Sequence, residues 1–208
     1  MSTDRVAAAR RWLEEYAPHP HPDLGRDGVV CPFMVRALRR DFVTMVAYDA
    51  TGGDDGLAAL ARRLLDENLA RARTLGPDRT YLVSMVVPQG RPDEELTAMV
   101  GRVHSILKPD FLAKGYMAGD FWPDHETVGL HSDTFRPFTS PLPILGMRPM
   151  VPADLRFFAK HEPTPASRLR CLEVYGQVFH GALNDYWRAE FGKVLADCHR
   201  ELAGGGSE

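Results

Sequence analysis

Apolar residues at helical spacing predict the main helices of the chain. In each of them, apolar side chains recur three or four positions apart, as on the buried stripe of an amphipathic helix. The third helix is expected to stop before Pro109, because an interior proline removes a backbone hydrogen bond. Glycines in the last stretch predict a break into two helices near residues 181–184. The predicted helices span residues 3–16, 57–75, 92–107, 152–158 and 165–202.

Apolar and β-branched runs between these helices predict four strands. The second run is continuously apolar, which is typical of a central strand buried on both faces. Prolines around the fourth run favour an edge strand or a strand end. Residues 122–141 are rich in proline, histidine and aspartate and predict no regular structure. The predicted strands span residues 42–48, 80–87, 115–121 and 142–147.

This order of elements predicts an α+β fold. We expect a mixed sheet of about four strands packed with helices, followed by a long C-terminal helical region. At 208 residues the chain is long enough for one full core, so the prediction is a single domain over residues 1–203. Residues 204–208 are glycine-rich and predict a disordered tail.

Composition excludes several classes of function. A net charge of −3 gives no reason to expect nucleic acid or an anionic membrane as partner. The apolar runs are too short to cross a bilayer. No apolar signal-peptide core follows the N-terminal arginines, because Glu14 and Glu15 interrupt it. The expected compartment is therefore the cytoplasm.

The strongest chemical lead is a pair of motifs, and its first half is Cys31 in the sequence Cys31-Pro32-Phe33. It ends a proline-rich segment, residues 18–31, which predicts a long loop. A thiolate held in such a loop can ligate a transition metal or haem iron, or act as a nucleophile. The alternative is a buried cysteine that anchors the loop. The three cysteines of the chain form no spaced motif and predict no disulfide framework.

A second candidate is His131, in the sequence Gly129-Leu130-His131. The glycine would allow the backbone to turn, and the polar residues 132–134 could orient the imidazole, a common metal and haem ligand. Arg136 suits a carboxylate, because guanidinium binds carboxylate in a bidentate way. The alternative is a surface histidine and an exposed loop arginine.

Two other groups of polar residues have weaker chemical signals. The residues around Trp122-Pro123 could supply a carboxylate–histidine pair for acid–base work, although solvated loop residues are the simpler interpretation. They are Asp120, Asp124, His125 and Glu126. His19, His21 and Asp23 alternate with prolines, so their side chains should diverge rather than share a metal.

Several motifs together resemble the YqcI/YcgG family. They are Cys31-Pro32-Phe33, Val128-Gly129-Leu130-His131 with Arg136, and Pro143-Ile144-Leu145 leading to Asp154-Leu155-Arg156-Phe157. The chain as a whole is similar to an uncharacterised bacterial sister family. The YqcI/YcgG family includes haem-dependent enzymes that hydroxylate amino or guanidino nitrogens of amino acids.

The resemblance implies a haem site. It places Cys31 and His131 at the haem as the candidate iron ligands and Arg136 beyond them. Two positions depart from the family pattern, because Ser132 stands in place of a proline and Met150 in place of a second histidine. A methionine can also ligate haem iron. The further residues expected to bind the cofactor are Arg148 at a propionate and Phe121 and Trp122 in the pocket wall.

The sequence therefore predicts a haem-dependent monooxygenase, similar to the N-hydroxylases, in specialised metabolism. Its substrate would be a small amine or amino acid, its oxidant molecular oxygen or peroxide, and its cofactor haem b. Two alternatives stay open. One is a haem-free enzyme with Cys31 as nucleophile. The other is a non-catalytic module that binds haem or another small molecule and forms a homodimer through its C-terminal helices.

Overall fold

A computed structural model describes residues 2–204. The chain divides into two compact units, which are described separately: residues 2–111 with 116–149, and residues 112–115 with 150–204. The α+β class predicted from the sequence is confirmed. A single domain over residues 1–203 stays a prediction. Gly204 ends the last helix, and residues 205–208 of the predicted tail lie outside the described residues.

The first unit is built on a four-stranded mixed sheet in the order β1-β2-β4-β3. The strands β1 and β2 are parallel, and β4 runs antiparallel to both β2 and β3. The continuously apolar strand is β2, and its predicted central position is confirmed. β4 also lies inside the sheet, so Pro149 marks a strand end and not an edge. The strands are β1 (Val43–Asp49), β2 (Val83–Gln89), β3 (Tyr116–Phe121) and β4 (Ile144–Pro149).

Helices cover both faces of this sheet. Alternating strand residues point to opposite faces, and two apolar clusters follow from this alternation. On one face, Val86 and Leu145 belong to a core with leucines of α3 and α4. On the other face, Val83 and Met85 pack with apolar residues of α1 and α2. The helices are α1 (Ser2–Tyr16), α2 (Pro32–Arg39), α3 (Gly53–Ala72) and α4 (Asp93–Ala113).

The helices of the structure differ from the predicted ones in two places. The first is α4, which continues through Pro109. Phe111 lies beyond the proline and is fully buried in the α3–α4 core, so its burial offsets the lost backbone bond. The second is α2, which was not predicted. Pro32 occupies its first turn, where a proline costs no hydrogen bond.

The second unit contains the predicted C-terminal helices, and the predicted break near residues 181–184 is confirmed. Its core centres on Tyr175, which is fully buried, packs against Phe158, Phe179 and Phe191, and donates a 3.0 Å hydrogen bond to the carbonyl of Pro152. Within residues 2–204, no helix is both long and apolar enough to span a membrane. The helices are α5 (Leu155–His161), α6 (Pro165–Val178) and α7 (Asp185–Gly204).

Candidate functional site

An open cleft of about 580 Å³ lies in the first unit, between the end of α1 and two loops. The loop after α1 and the loop between β3 and β4 supply most of its wall. Trp12 and Tyr16, one turn apart on α1, stack at 5.6 Å and form the aromatic part of the lining. The cleft is lined by Trp12, Tyr16, His21, Asp23, Pro123, Asp124, Thr134, Phe135, Arg136, Thr139, Ser140 and Pro141.

A close backbone approach holds the two loops together. Gly25 has a φ of +74°, and a Cβ atom there would lie 2.1 Å from the carbonyl oxygen of His131. Only glycine fits this position, because its conformation is left-handed and its α-carbon touches the facing backbone. Trp122 adds a second tie within the loop between β3 and β4. Its amide donates to Phe138 and its carbonyl accepts from Ser140.

The cleft carries charges of both signs. Arg136 is half-buried, and its Nη1 donates to the carbonyl of Asp133 at 2.6 Å. No carboxylate pairs with its guanidinium in the described part of the chain. Asp124 is exposed and likewise has no ion-pair partner among residues 2–204. Its φ of +59° is uncommon for a residue other than glycine, which is a known feature of functional sites.

Two hydroxyl groups of the cleft, those of Ser140 and Tyr16, already contact backbone carbonyls. The Ser140 hydroxyl donates to the carbonyl of Leu142 at 2.7 Å. The Tyr16 hydroxyl lies 3.4 Å from the carbonyl of Pro137, and burial raises the pKa of Tyr16 to about 12. Tyr16 is therefore neutral at physiological pH and can act as a donor but not as a base.

The structure places Cys31 outside the cleft lining. Cys31 is the residue that precedes α2, and its side chain is partly buried against the cluster formed by α1 and α2. Its amide donates to the carbonyl of Ala17 at 2.8 Å, which fixes the end of the proline-rich loop. This environment agrees with the loop-anchor alternative. All three cysteines are free, and Cys171 and Cys198 are buried.

His131 is exposed and is also absent from the cleft lining. Its contribution to the cleft is its backbone carbonyl, which lies against Gly25. The Ser132 hydroxyl accepts from the amides of Thr134 and Phe135, so it builds the turn instead of orienting the imidazole. Gly129 does not have a positive φ, and its amide donates to the carbonyl of Phe135 at 2.9 Å. The predicted turn glycine is a close-packing glycine.

Of the seven residues predicted to hold haem, Arg136 alone lines the cleft. Arg148 lies on β4, with its guanidinium 5.7 Å from the ring centre of Phe33. Met150 is buried in the second unit. Phe121 packs edge-on against Trp12 at 5.8 Å and so supports the cleft from behind. Trp122 packs on His125, with ring centres 4.1 Å apart.

Beside the cleft, His104, Asp120 and His125 form a buried polar cluster. Asp120 extends from β3, His104 from α4 and His125 from the loop that follows β3. Nδ1 of His104 lies 3.2 Å from one carboxylate oxygen of Asp120, and Nε2 of His125 lies 3.6 Å from the other. His125 is 7% exposed, so the solvated loop expected from the sequence is wrong for this residue.

The backbone contacts the second nitrogen of each imidazole, although Nε2 of His125 lies too far from Asp120 for a hydrogen bond. Nε2 of His104 lies 3.3 Å from the carbonyl of Ala118, and Nδ1 of His125 accepts from the amide of Thr127 at 3.2 Å. In an acid–base dyad, the second nitrogen must face the substrate. Neither histidine has such a nitrogen, so the cluster is built for structure and not for direct catalysis.

Two opposing effects act on the carboxyl group of Asp120. Burial raises its pKa, whereas the adjacent imidazoles of His104 and His125 lower it. The imidazoles prevail, and the pKa of Asp120 lies well below its usual range. Asp120 is therefore ionised at neutral pH and supplies the negative charge of the cluster.

The residues of the cleft do not fit a haem group. Its lining contains neither Cys31 nor His131, and the imidazole that it does contain belongs to His21. Nδ1 of His21 accepts from the amide of Asp23 at 3.2 Å, so the neutral ring carries its proton on Nε2 and has no free lone pair for iron. Among residues 2–204, no group of three or more histidine, cysteine, aspartate or glutamate side chains is arranged to hold a metal ion.

Sequence reasoning missed the cleft because its walls are distant in the chain. Arg136 was the one lining residue among those predicted to bind the cofactor, whereas His21 and Asp23 were expected to diverge. Trp12 gave no signal beyond its place on an amphipathic helix. The contacts of His104 are those of a structural histidine. The carboxylates and the histidine around Trp122-Pro123 were the one sequence signal that pointed to the cluster.

Comparison with known proteins identifies a family but no activity. A family model described as "Domain of unknown function (DUF6875)" matches residues 6–190. No curated protein and no solved structure matches the chain. Nothing in these comparisons links the chain to the YqcI/YcgG family, so that resemblance stays a prediction. Since the match covers both the sheet and the cleft, the chain belongs to the DUF6875 family.

Proposed function

We propose that this chain binds a small amino acid or amine in the cleft and acts on it as an enzyme. One observation carries the proposal: Arg136, without a carboxylate partner among residues 2–204, shares one aromatic-walled cleft with the acidic side chains of Asp23 and Asp124. A guanidinium suits the carboxylate of an amino acid. Carboxylates and the faces of Trp12 and Tyr16 suit its ammonium group.

The size of the cleft agrees with this class of ligand. Small-molecule sites occupy about 300–1,000 Å³ and combine apolar walls with a few polar groups. The present cleft, at about 580 Å³, lies inside this range. Its lining combines aromatic and proline side chains with one imidazole and three charged groups, namely His21, Asp23, Asp124 and Arg136.

Oxidation of the bound amine is the reaction that the family resemblance implies. This oxidation requires an iron site outside the cleft lining, with Cys31 or His131 as the iron ligand. We assign no chemical step to that site. An absorption spectrum of the protein titrated with haemin tests this reaction. A saturable Soret band that shifts in Cys31→Ala or His131→Ala supports it. A titration without saturation excludes haem.

A non-catalytic binding module is the second candidate. It is favoured by two hydroxyl groups of the cleft that are already engaged, since those of Ser140 and Tyr16 contact backbone carbonyls. Cys31, the predicted nucleophile, does not line the cleft either. The two candidates differ in turnover, because a module returns its ligand unchanged.

Two matched arginine variants test ligand binding. The protein is titrated with each common amino acid and with the amine that remains after decarboxylation, and amide chemical shifts are followed by NMR. We expect shifts at Asp124, Thr134 and Thr139. Arg136→Met should weaken the binding of the amino acids by at least about tenfold, which corresponds to the loss of one charge-assisted hydrogen bond.

Arg148→Met is the control, because Arg148 was also predicted to bind a carboxylate but does not line the cleft. Arg148→Met should leave the affinities for the amino acids and for the corresponding amines unchanged. Equal effects of the two variants, or no cleft shifts with any ligand, contradict the proposal. If Arg148→Met alone weakens the binding of the amino acids, the site predicted from the family resemblance gains support.

A further inference from the structure

Hydrogen-bond geometry constrains the protons in the cluster of His104, Asp120 and His125. With Asp120 ionised, both nitrogens of His104 face acceptors, the carboxylate at 3.2 Å and the carbonyl of Ala118 at 3.3 Å. Nδ1 of His125 accepts from Thr127, so His125 is neutral with its proton on Nε2.

A further proton on His125 conflicts with this arrangement. It would enter at Nδ1, where the amide of Thr127 already points its hydrogen at the ring, 3.2 Å away. Two donors would then face each other and the hydrogen bond would be lost. The added charge would also lie in a nearly closed site, since His125 is 7% exposed.

The charged groups around His125 come from two other elements. Asp120 of β3 faces it at 3.6 Å, and His104 of α4 lies on the other side of that carboxylate. The faces of the imidazole are covered by aromatic rings, Trp122 at 4.1 Å and Phe138 at 5.4 Å between ring centres. The carboxylate of Asp120 therefore favours a positive charge on His125, whereas a charge on His104 would oppose it.

The segment that the Thr127 bond fixes belongs to the cleft wall. Residues 122–127 contain Pro123 and Asp124, which both line the cleft. We propose that protonation of His125 breaks its hydrogen bond with Thr127, releases residues 122–127 and so moves the acidic wall of the cleft. His125 is thus a positioning residue that makes the cleft sensitive to pH without touching a ligand.

Histidine-to-asparagine substitution separates the hydrogen bond from the proton. In His125→Asn, the side-chain oxygen can accept from the amide two residues on, as in an Asx turn, and it does not titrate. The measurement is hydrogen exchange of the Thr127 and Asp124 amides between about pH 5 and pH 8, corrected for the intrinsic pH dependence of exchange. Amides of β2, including buried Val86, report global unfolding.

In the unsubstituted protein, we expect the protection of Thr127 to fall about fivefold at low pH, the value of one ordinary hydrogen bond. The protection of Val86 should stay constant. The ¹⁵N shifts of the His125 ring should show the Nε2-protonated form at high pH and the imidazolium after the same transition. In His125→Asn, the Thr127 amide should not respond to pH.

The proposal is overturned if Thr127 loses protection equally in the asparagine variant. It is also overturned if the ring of His125 stays neutral while Thr127 changes, or takes up its proton while Thr127 stays protected. The last two outcomes need only the unsubstituted protein, so the test survives a variant that fails to fold.

Discussion

The buried cluster and the open cleft use the same kinds of residue in opposite ways. In the cluster, Asp120 meets two imidazoles, and the backbone takes the remaining nitrogens. In the cleft, Asp124 and Arg136 have no side-chain ion pair within residues 2–204. Buried charge must be paired, whereas exposed charge can remain available for a ligand. The cluster therefore contributes to stability, and the cleft is the place to look for binding.

The largest effect should come from removing the charge of the cluster. Asp120→Asn removes the carboxylate that faces Nδ1 of His104 and places an amide against Nε2 of His125. We expect a loss of about 3 kcal/mol in the free energy of unfolding, as for other broken buried pairs. Asp124→Asn in the cleft should change it by less than about 0.5 kcal/mol. Urea unfolding of both variants checks the contrast, and equal losses would contradict it.

The pH dependence of stability should follow Asp120 in the acid range. Because the imidazoles hold the pKa of Asp120 below its usual range, the carboxylate stabilises the fold at pH values above its unfolded pKa, about 3.9. This contribution is lost as the pH falls through the lower pKa of the folded state. The stability difference between the unsubstituted protein and Asp120→Asn should therefore shrink below about pH 4. Unfolding midpoints at several pH values measure this stability difference. A difference that stays constant with pH would contradict the lowered pKa of Asp120.

Two substitutions of His104 should sharpen the comparison, because we expect them to lower the free energy of unfolding by different amounts. His104→Leu removes both donors and leaves the Asp120 carboxylate buried without its closest partner, at a cost of about 2 kcal/mol. His104→Asn keeps one donor at the position of Nδ1, so we expect a loss of about 1 kcal/mol. Thermal or urea unfolding compares the two. A larger loss in the asparagine variant would show that the contact with Asp120 matters little.

The smallest effect should appear in the cleft and have the opposite sign. Asp124 adopts a left-handed conformation that favours glycine, so Asp124→Gly should stabilise the fold by about 0.5 kcal/mol. Asp124→Ala keeps the unfavourable φ and should destabilise it by a similar amount. If the proposed function holds, both variants weaken amine binding alike. If the two variants bind amines with different affinities, then the backbone conformation of Asp124, and not its charge, contributes to binding.

Local patterns were sufficient to predict most of the elements. The helical spacing predicted α1 and α3 as well as the break between α6 and α7, and apolar runs predicted the four strands. Long periodic segments are informative because their own spacing states which face is buried. The failures came at prolines. Pro32 starts α2 and Pro109 lies within α4, and in the latter case distant burial of Phe111 offsets a local penalty.

The candidate site was much less predictable than the fold. Cys31 and His131 each stood beside a proline or glycine, which indicated a special conformation but not its purpose. For Gly25, the purpose is contact with the backbone of His131, more than a hundred positions away. Such a contact leaves no periodic trace in the sequence.

The sequence by itself determined the class of the fold, the positions of most of its helices and of its strands, and the presence of aspartate, histidine and arginine in its loops. Only the tertiary structure decided which of these charges are paired. His125 and Asp124 are neighbours in the chain, yet one is buried against Asp120 and the other lies exposed at the cleft. Burial depends on what the rest of the chain brings to each side chain, and it decides whether a charge stabilises the fold or stays available to a ligand.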